Sequence, residues 1–194
     1  MGISFRDDGD RFEARLVVDQ LWEGTPLAES LQATVILVDR PGRGIDVRLD
    51  APHHHDPRPA VPPGRLDGLW AYEVVELFLL GHDERYLEIE VGPGGHYLAL
   101  AFAGRRVRVD EDVPIRVEVE RGPRDTEGTA GRWTAGIRVS EASLPPGWRE
   151  GGRRCNAYTI HGPSDARRYA VAQVLGTDEP DFHAIAAFAS LTHP

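Results

Sequence analysis

The stretch Leu69-Trp-Ala-Tyr-Glu-Val-Val-Glu-Leu-Phe-Leu-Leu80, followed by Arg85-Tyr-Leu-Glu-Ile-Glu-Val-Gly-Pro93, restricts the fold more than any other part of the chain. In extended backbone, alternate side chains share a face. Val75, Leu77 and Leu79 then point one way, with Leu87, Ile89 and Val91 as neighbours. Glu76, Phe78, Tyr86, Glu88 and Glu90 point the other way. One face is purely aliphatic. The other mixes carboxylates with aromatic rings, which suits recognition of a polar ligand better than idle contact with water.

The same short period recurs along the chain. Strands are expected at residues 13–19, 34–38, 45–51, 72–80, 86–91, 97–102, 115–120, 133–139, 156–161, 169–174 and 186–191. Ile115, Val117 and Val119, for example, alternate with Arg116, Glu118 and Glu120. No segment carries a long helical period. Gly and Pro punctuate the runs, and many short strands joined by such turns predict an all-β, two-sheet antiparallel sandwich of jelly-roll type. Gly92-Pro-Gly-Gly95 lies between two strands and reads as a hairpin turn, not a phosphate cradle. Residues 52–66 hold five prolines and three consecutive histidines without a strand pattern. Residues 122–131 read as a polar hairpin connection.

A chain of 194 residues is long enough to bury a core as one domain, 1–194. Its net charge of -9 argues against nucleic acid as a partner. All 22 basic residues are arginine, which excludes lysine Schiff-base chemistry and a phosphate-loop lysine. Cys155 is alone, so neither an intrachain disulfide nor a cysteine-zinc cluster can form, and it is expected in the core. The charged first twenty residues lack a signal-peptide core, and no run approaches the ~20 apolar residues of a membrane span. The expectation is a cytoplasmic chain with no membrane partner. Oligomeric state is left open.

Several constellations carry chemistry. Trp70 and Tyr72 stand at a strand start beside the proline-rich loop. They suit either stacking on a sugar face or plugging the end of the core. Glu73, Glu76, Glu88 and Glu90 suit hydrogen bonds from sugar hydroxyls. They also suit the acid and base of a glycosidase, a structural calcium ion, or a solvated face paired with Arg138 or Arg168. His53 and His55 share a side of an extended loop. With His161 or His183 and Glu76 they are candidates for a cupin-like metal site, against the plainer reading of a solvent loop. Haem is discounted, because the chain's one methionine is Met1 and no motif supports bis-histidine ligation. Ser140, Ser143 and Ser164 lack a nucleophile-elbow context.

Asp50-Ala-Pro52, Asp56-Pro57 and the run from Gly68 to Glu76 resemble an uncharacterised family typified by a human chromosome-4 open-reading-frame protein. Further matches are Tyr86-Leu-Glu-Ile-Glu90, Ile160-His-Gly162, Arg168-Tyr169 and Pro180-Asp-Phe-His183. The resemblance runs from about the third strand to Phe188, and Ala71 departs from it where the family tends to carry an acid. More distantly, Val75-Glu-Leu-Phe78, Tyr86-Leu-Glu88, Pro93-Gly-Gly95, Trp133, Asn156-Ala-Tyr158 and Phe182-His183…Phe188 are similar to the family-9 carbohydrate-binding modules and DOMON-like sandwiches. That likeness implies a jelly-roll-like sandwich with a sugar-binding or small-ligand role.

The resulting expectation is non-catalytic recognition of a carbohydrate or related polar small molecule, with no cofactor beyond a structural calcium ion. Trp70 and Tyr72 stack, Glu73, Glu76 and Glu88 accept hydrogen bonds, and Asp50, His53 and Asp56 border the site. A sugar-acting enzyme and a protein-interaction domain are the alternatives. Sugar binding predicts an exposed ring beside carboxylates, the enzyme a deep pocket with convergent histidines or two close acids, and the interaction domain a broad apolar patch.

Overall fold

A computed structural model describes residues 2–121, 131–150, 152–188 and 190–191. The connection expected at 122–131 therefore lies, apart from Gly131, outside the described residues. Fourteen strands are described: β1 (Ile3–Asp7), β2 (Phe12–Val18), β3 (Gln20–Leu21), β4 (Ala33–Arg40), β5 (Gly44–Pro52), β6 (Gly64–Arg65), β7 (Val74–Leu80), β8 (Arg85–Val91), β9 (His96–Ala103), β10 (Arg108–Asp110), β11 (Ile115–Arg121), β12 (Arg132–Val139), β13 (Arg154–His161) and β14 (Arg168–Val171). They form two antiparallel sheets. The first has the order β1-β2-β4-β5-β12-β11 and the second β10-β9-β8-β7-β13-β14-β3. β6 adds a short parallel pairing beside β9.

The period-two pattern builds the space between the sheets. Phe12, Ala14, Leu16 and Val18 of β2, Val35 and Leu37 of β4, and Trp133, Ile137 and Val139 of β12 face Val75, Leu77, Leu79, Leu87, Ile89 and Val91 from the second sheet. Cys155 packs there too and is fully buried. Each such aliphatic side chain contributes ~1.5–3 kcal/mol of transfer free energy. The buried Trp133 indole also needs a partner for its N–H, and donates to Pro52 O at 3.2 Å.

The opposite face of the second sheet does not meet water either. All seven residues of β7 are buried. Val74, Phe78, Leu80, Tyr86, Leu98, Leu100, Phe102, Tyr158 and Ile160 form a second apolar cluster on this outer face. It is roofed by Trp22, Leu69, Leu175, Phe182, Ile185 and Phe188. The roof is made of turns: Ile185–Ala187 is a 3-10 helix. The strand expected at 186–191 is thus corrected. Ile185, Phe188 and Leu191 are buried at a spacing of three, which a turn satisfies and a strand does not.

The strand expected from residue 72 begins at Val74. Leu69–Ala71 is a 3-10 helix preceded by Gly68 in the left-handed region, φ 76°. The carbonyls of Trp70 and Tyr72 are taken by the Arg167 guanidinium at 2.8 and 2.7 Å, not by a neighbouring strand. Gly92–Gly95 turns the chain between β8 and β9 as expected, with Gly95 at φ 85°. The short strands β1, β3, β6 and β10 have no counterpart in the period reading, and β14 stops at Val171. Among the described residues, no helix is long and apolar enough to cross a membrane.

Candidate functional site

The ladder fixes the carboxylates first. In the β7–β8 register Glu76 lies opposite Glu90, and Phe78 opposite Glu88. All three glutamates sit on the roofed face, Glu76 2%, Glu88 5% and Glu90 0% exposed. A pocket of about 530 Å³ opens between this face and the roof. Glu76 and Glu88 line it from the sheet, with Phe102, Ile160 and Tyr169 beside them. Glu179, Pro180, Phe182 and His183 line it from the roof. Arg106, Arg108 and Trp70 complete the wall. Trp70 is 40% exposed, and the Arg108 guanidinium lies 5.3 Å from its ring centroid.

Burial controls the charges here. It pushes Glu88 up to about 7. It drives Glu76 and Glu90 well above the usual carboxylate range, and repulsion from neighbouring acids adds to the effect. Both oxygens of Glu90 and Oε2 of Glu88 are buried without a hydrogen-bond partner outside the acid cluster among the described residues. His183 sits beside them, with Nε2 3.9 Å from Glu88 Oε2. Its Nδ1 is 2.6 Å from the Tyr86 phenol oxygen, which also accepts the Arg106 backbone N–H at 3.0 Å. Burial lowers His183 to about 4 and raises Tyr86 to about 12, so a neutral imidazole and a neutral phenol face the acids. Asp181 anchors the roof. Burial opposes its ionisation, yet bonds from Arg106 and Arg105 hold it below the usual range.

The residues singled out in the sequence divide into two groups. Trp70, Glu76 and Glu88 come together in the pocket, and so does His183. The others serve the scaffold. Tyr72 packs partly buried against the outer cluster. Glu73 accepts the backbone N–H groups of His54 at 2.9 Å and Asp56 at 3.3 Å, and so staples the proline-rich loop. Burial lifts Glu73 to about 7 against the pull of those two amides. Asp56 accepts the Gly162 N–H at 2.5 Å and lies 3.9 Å from Arg167. Asp50 is ion-paired with Arg132 in the first sheet.

Of the candidate histidines His183 shares the pocket with Glu76, while His53, His55 and His161 lie outside its lining. His53 and His55 meet edge to face at 4.2 Å, while His54 stacks on His161 at 3.5 Å. Among the described residues, no group of three His, Cys, Asp or Glu side chains is placed to hold a metal ion. The solvated-face reading of Glu76 and Glu88 is corrected by their burial, and Arg138 instead pairs with Asp46. The sequence reading missed Arg106, Arg108, Tyr169, Glu179 and Phe182 as wall residues. The Arg106-Val-Arg108 alternation was the available signal, but nothing local says which sheet face a hairpin edge overlooks.

Fold and site together define a two-sheet antiparallel β-sandwich with a roofed, carboxylate-floored pocket on an outer sheet face. The chain belongs to the UPF0462 family. It is 31% identical to UPF0462 protein C4orf33 of Homo sapiens over 182 residues, 89% of this chain and 85% of that one. The Danio rerio homolog is 34% identical over 163 residues, 77% of this chain and 75% of its own. No family model matches. Among solved structures, a protein of Bacteroides uniformis ATCC 8492, provisionally described as carbohydrate-binding, aligns with a TM-score of 0.59. That alignment covers 81% of this chain and 76% of the other at 18% identity, a likeness of fold.

Proposed function

We propose that this protein binds a carbohydrate or a related polar small molecule in the pocket between the second sheet and its roof. The observation that carries this reading is the half-exposed Trp70 ring in the same wall as two buried carboxylates, Glu76 and Glu88. A ring of this kind offers a stacking surface to the C–H face of a sugar. The carboxyl groups offer hydrogen-bond acceptors to hydroxyls or, when protonated, donors. A pocket of about 530 Å³ lies in the usual range for small-molecule sites. The provisional description of the Bacteroides uniformis protein supports the same direction. The exposed large apolar side chains among the described residues are few, and apart from Val107 and Val109 at β10 they come from separate segments, Leu31, Val61, Trp70 and Val174, which favours a pocket over a broad docking face.

A glycan array followed by calorimetry on wild type and Trp70→Ala tests the reading. Saccharide binding that disappears in a folded Trp70→Ala variant is expected. Absence of saccharide binding by wild type rejects it.

A second reading, a sugar-acting acid–base enzyme, is favoured by one feature. Glu88, brought to about 7 by burial, sits beside a second acid and a neutral histidine. Turnover of a glycoside that vanishes in Glu76→Gln while binding persists would place the protein there.

A further inference from the structure

We infer that the pocket is built for a ligand bearing an ammonium group, such as a sugar with a free amine, which seats on the carboxyl groups of Glu76 and Glu88. The inference deepens the proposed function and rests on that pocket being a ligand site.

Three acids are gathered on one buried sheet face, and among the described residues no arginine is in direct ion-pair contact with them; Arg167, Arg106 and Arg108 act on them only from a distance. The nearest basic group is His183 at 3.9 Å from Glu88. The two wall arginines have acidic partners of their own. Arg106 is bonded to Asp181 at 3.0 Å, and Arg108 reaches Asp67 at 3.4 Å while lying over Trp70. Arg106 and Arg108 still favour ionisation of Glu88, and Arg167 that of Glu76, but burial outweighs all three; Tyr86 and Tyr158 carry no charge to offer.

A buried carboxylate needs a counter-charge or a proton. Glu88 Oε2 lies in a pocket-lining residue, is shielded from water and accepts no hydrogen bond from a donor outside the acid cluster, its neighbour there being the Glu90 carboxyl. A neutral hydroxyl would satisfy its hydrogen-bonding capacity and leave its charge uncompensated. An ammonium satisfies both, with three N–H donors for several acceptor oxygens. The aromatic wall of Trp70, Tyr169 and Phe182 is also favourable to a cation. A divalent metal fits less well, since no three ligating side chains converge among the described residues. In the empty pocket protons occupy the seat, so an ammonium ligand must displace them. Binding is therefore accompanied by proton release from the Glu76–Glu88–Glu90 cluster.

The test is calorimetry with matched probes: glucosamine against glucose and N-acetylglucosamine, and 1,4-diaminobutane against 1,4-butanediol. Each titration is run in two buffers of different ionisation heat. The expected result is at least tenfold tighter binding of each amine than of its neutral counterpart, with protons released to the buffer. The preference should be lost in Glu76→Gln/Glu88→Gln, or in Glu88→Gln alone if the double variant does not fold. Equal binding of glucose and glucosamine overturns the ammonium inference and leaves the saccharide reading standing. Binding of 1,4-diaminobutane without any sugar supports the ammonium seat and overturns the saccharide reading. Binding of none of the probes overturns both.

Discussion

Glu76 of β7 and Glu90 of β8 face each other across one rung of the ladder, on a buried face, with no guanidinium paired to either among the described residues. Like charges directly opposite on adjacent strands are destabilising, and burial multiplies the penalty. The folded protein avoids it by holding protons. Its acids are raised above their unfolded values, with Glu88 at about 7. The native state therefore binds more protons than the unfolded chain above the unfolded carboxyl range. The stabilisation is complete at low pH and is lost as pH rises through the folded values. For the ligand-free protein, melting temperature should fall between pH 6 and pH 8. Glu88→Gln should flatten that slope and raise stability at pH 8 by on the order of 2 kcal/mol. An unchanged slope in this variant would show that the acids are ionised in the fold.

Trp70 offers a clean separation of binding from folding, because its ring is half exposed while the remaining tryptophans described are buried. Trp70→Ala is expected to weaken saccharide binding by ~2 kcal/mol, about 30-fold, as for an aromatic hot spot. Its melting temperature should move by no more than ~2 °C, as for a surface substitution. A large loss of stability would mean that the indole holds the roof.

Arg167 holds the backbone that carries Trp70. It donates to Gly162 O at 2.7 Å as well as to the carbonyls of Trp70 and Tyr72. Arg167→Ala strands three acceptors and removes the group that fixes the turn carrying the indole. A loss of ~2–3 kcal/mol in denaturant unfolding is expected, together with weaker ligand binding. A stability loss without any change in affinity would separate Trp70's position from Arg167.

Far from the pocket, Asp39 is fully buried and accepts Trp148 Nε1 at 3.2 Å, Arg149 at 2.7 Å and Arg153 at 3.2 Å. These bonds tie β4 to the segment leading into β13. Asp39→Asn removes the buried charge that both guanidinium groups share, leaving Arg149 with Glu141 and Arg153 with Asp7, and should cost ~2–3 kcal/mol, measured by urea unfolding. Binding at the roofed pocket should survive below the new midpoint.

The triple histidine gives a negative control. With His53 against His55 and His54 against His161, the rings partner one another. Elemental analysis of tag-free protein is expected to give the same low metal content for wild type and for His53→Ala/His55→Ala. Stoichiometric zinc, iron or nickel lost in the double variant would instead support the metal reading.

The alternation in β7 and β8 made both the aliphatic core and the acidic face legible, because the pleat imposes which residues travel together. It could not tell that the acidic face is covered. Besides Leu69, its roof comes from Trp22 and from residues 175–188, distant in sequence, with Phe182, Ile185 and Phe188 spaced by threes. Glu73, Asp56 and Asp50, which lie outside the pocket lining, could not be told apart from the pocket acids for a different reason. A carboxylate that receives backbone N–H groups or an arginine looks in sequence like one awaiting a ligand. His183 was visible as a functional candidate, but only the return of the chain over β8 sets it beside Glu88 and away from His53 and His55. The strands at the edges, β3, β6 and β10, are two or three residues long and carry too little pattern to be read.

The 175–188 part of the roof is fastened largely through side chains: Trp22 Nε1 to Thr177 O, Gln173 Nε2 to Ala187 O, and Asp181 to Arg105 and Arg106, while Trp22 itself holds β14 by its backbone N–H to Tyr169 O. The floor beneath is locked by continuous ladder bonds of β8, β7 and β13. The two layers consequently differ in how they come apart. Floor amides should exchange with deuterium only when the whole sandwich unfolds, whereas the roof can lift without any strand leaving its sheet. For a molecule bound beneath that cover, loosening the latch at Asp181 is expected to quicken both association and dissociation more than it changes affinity.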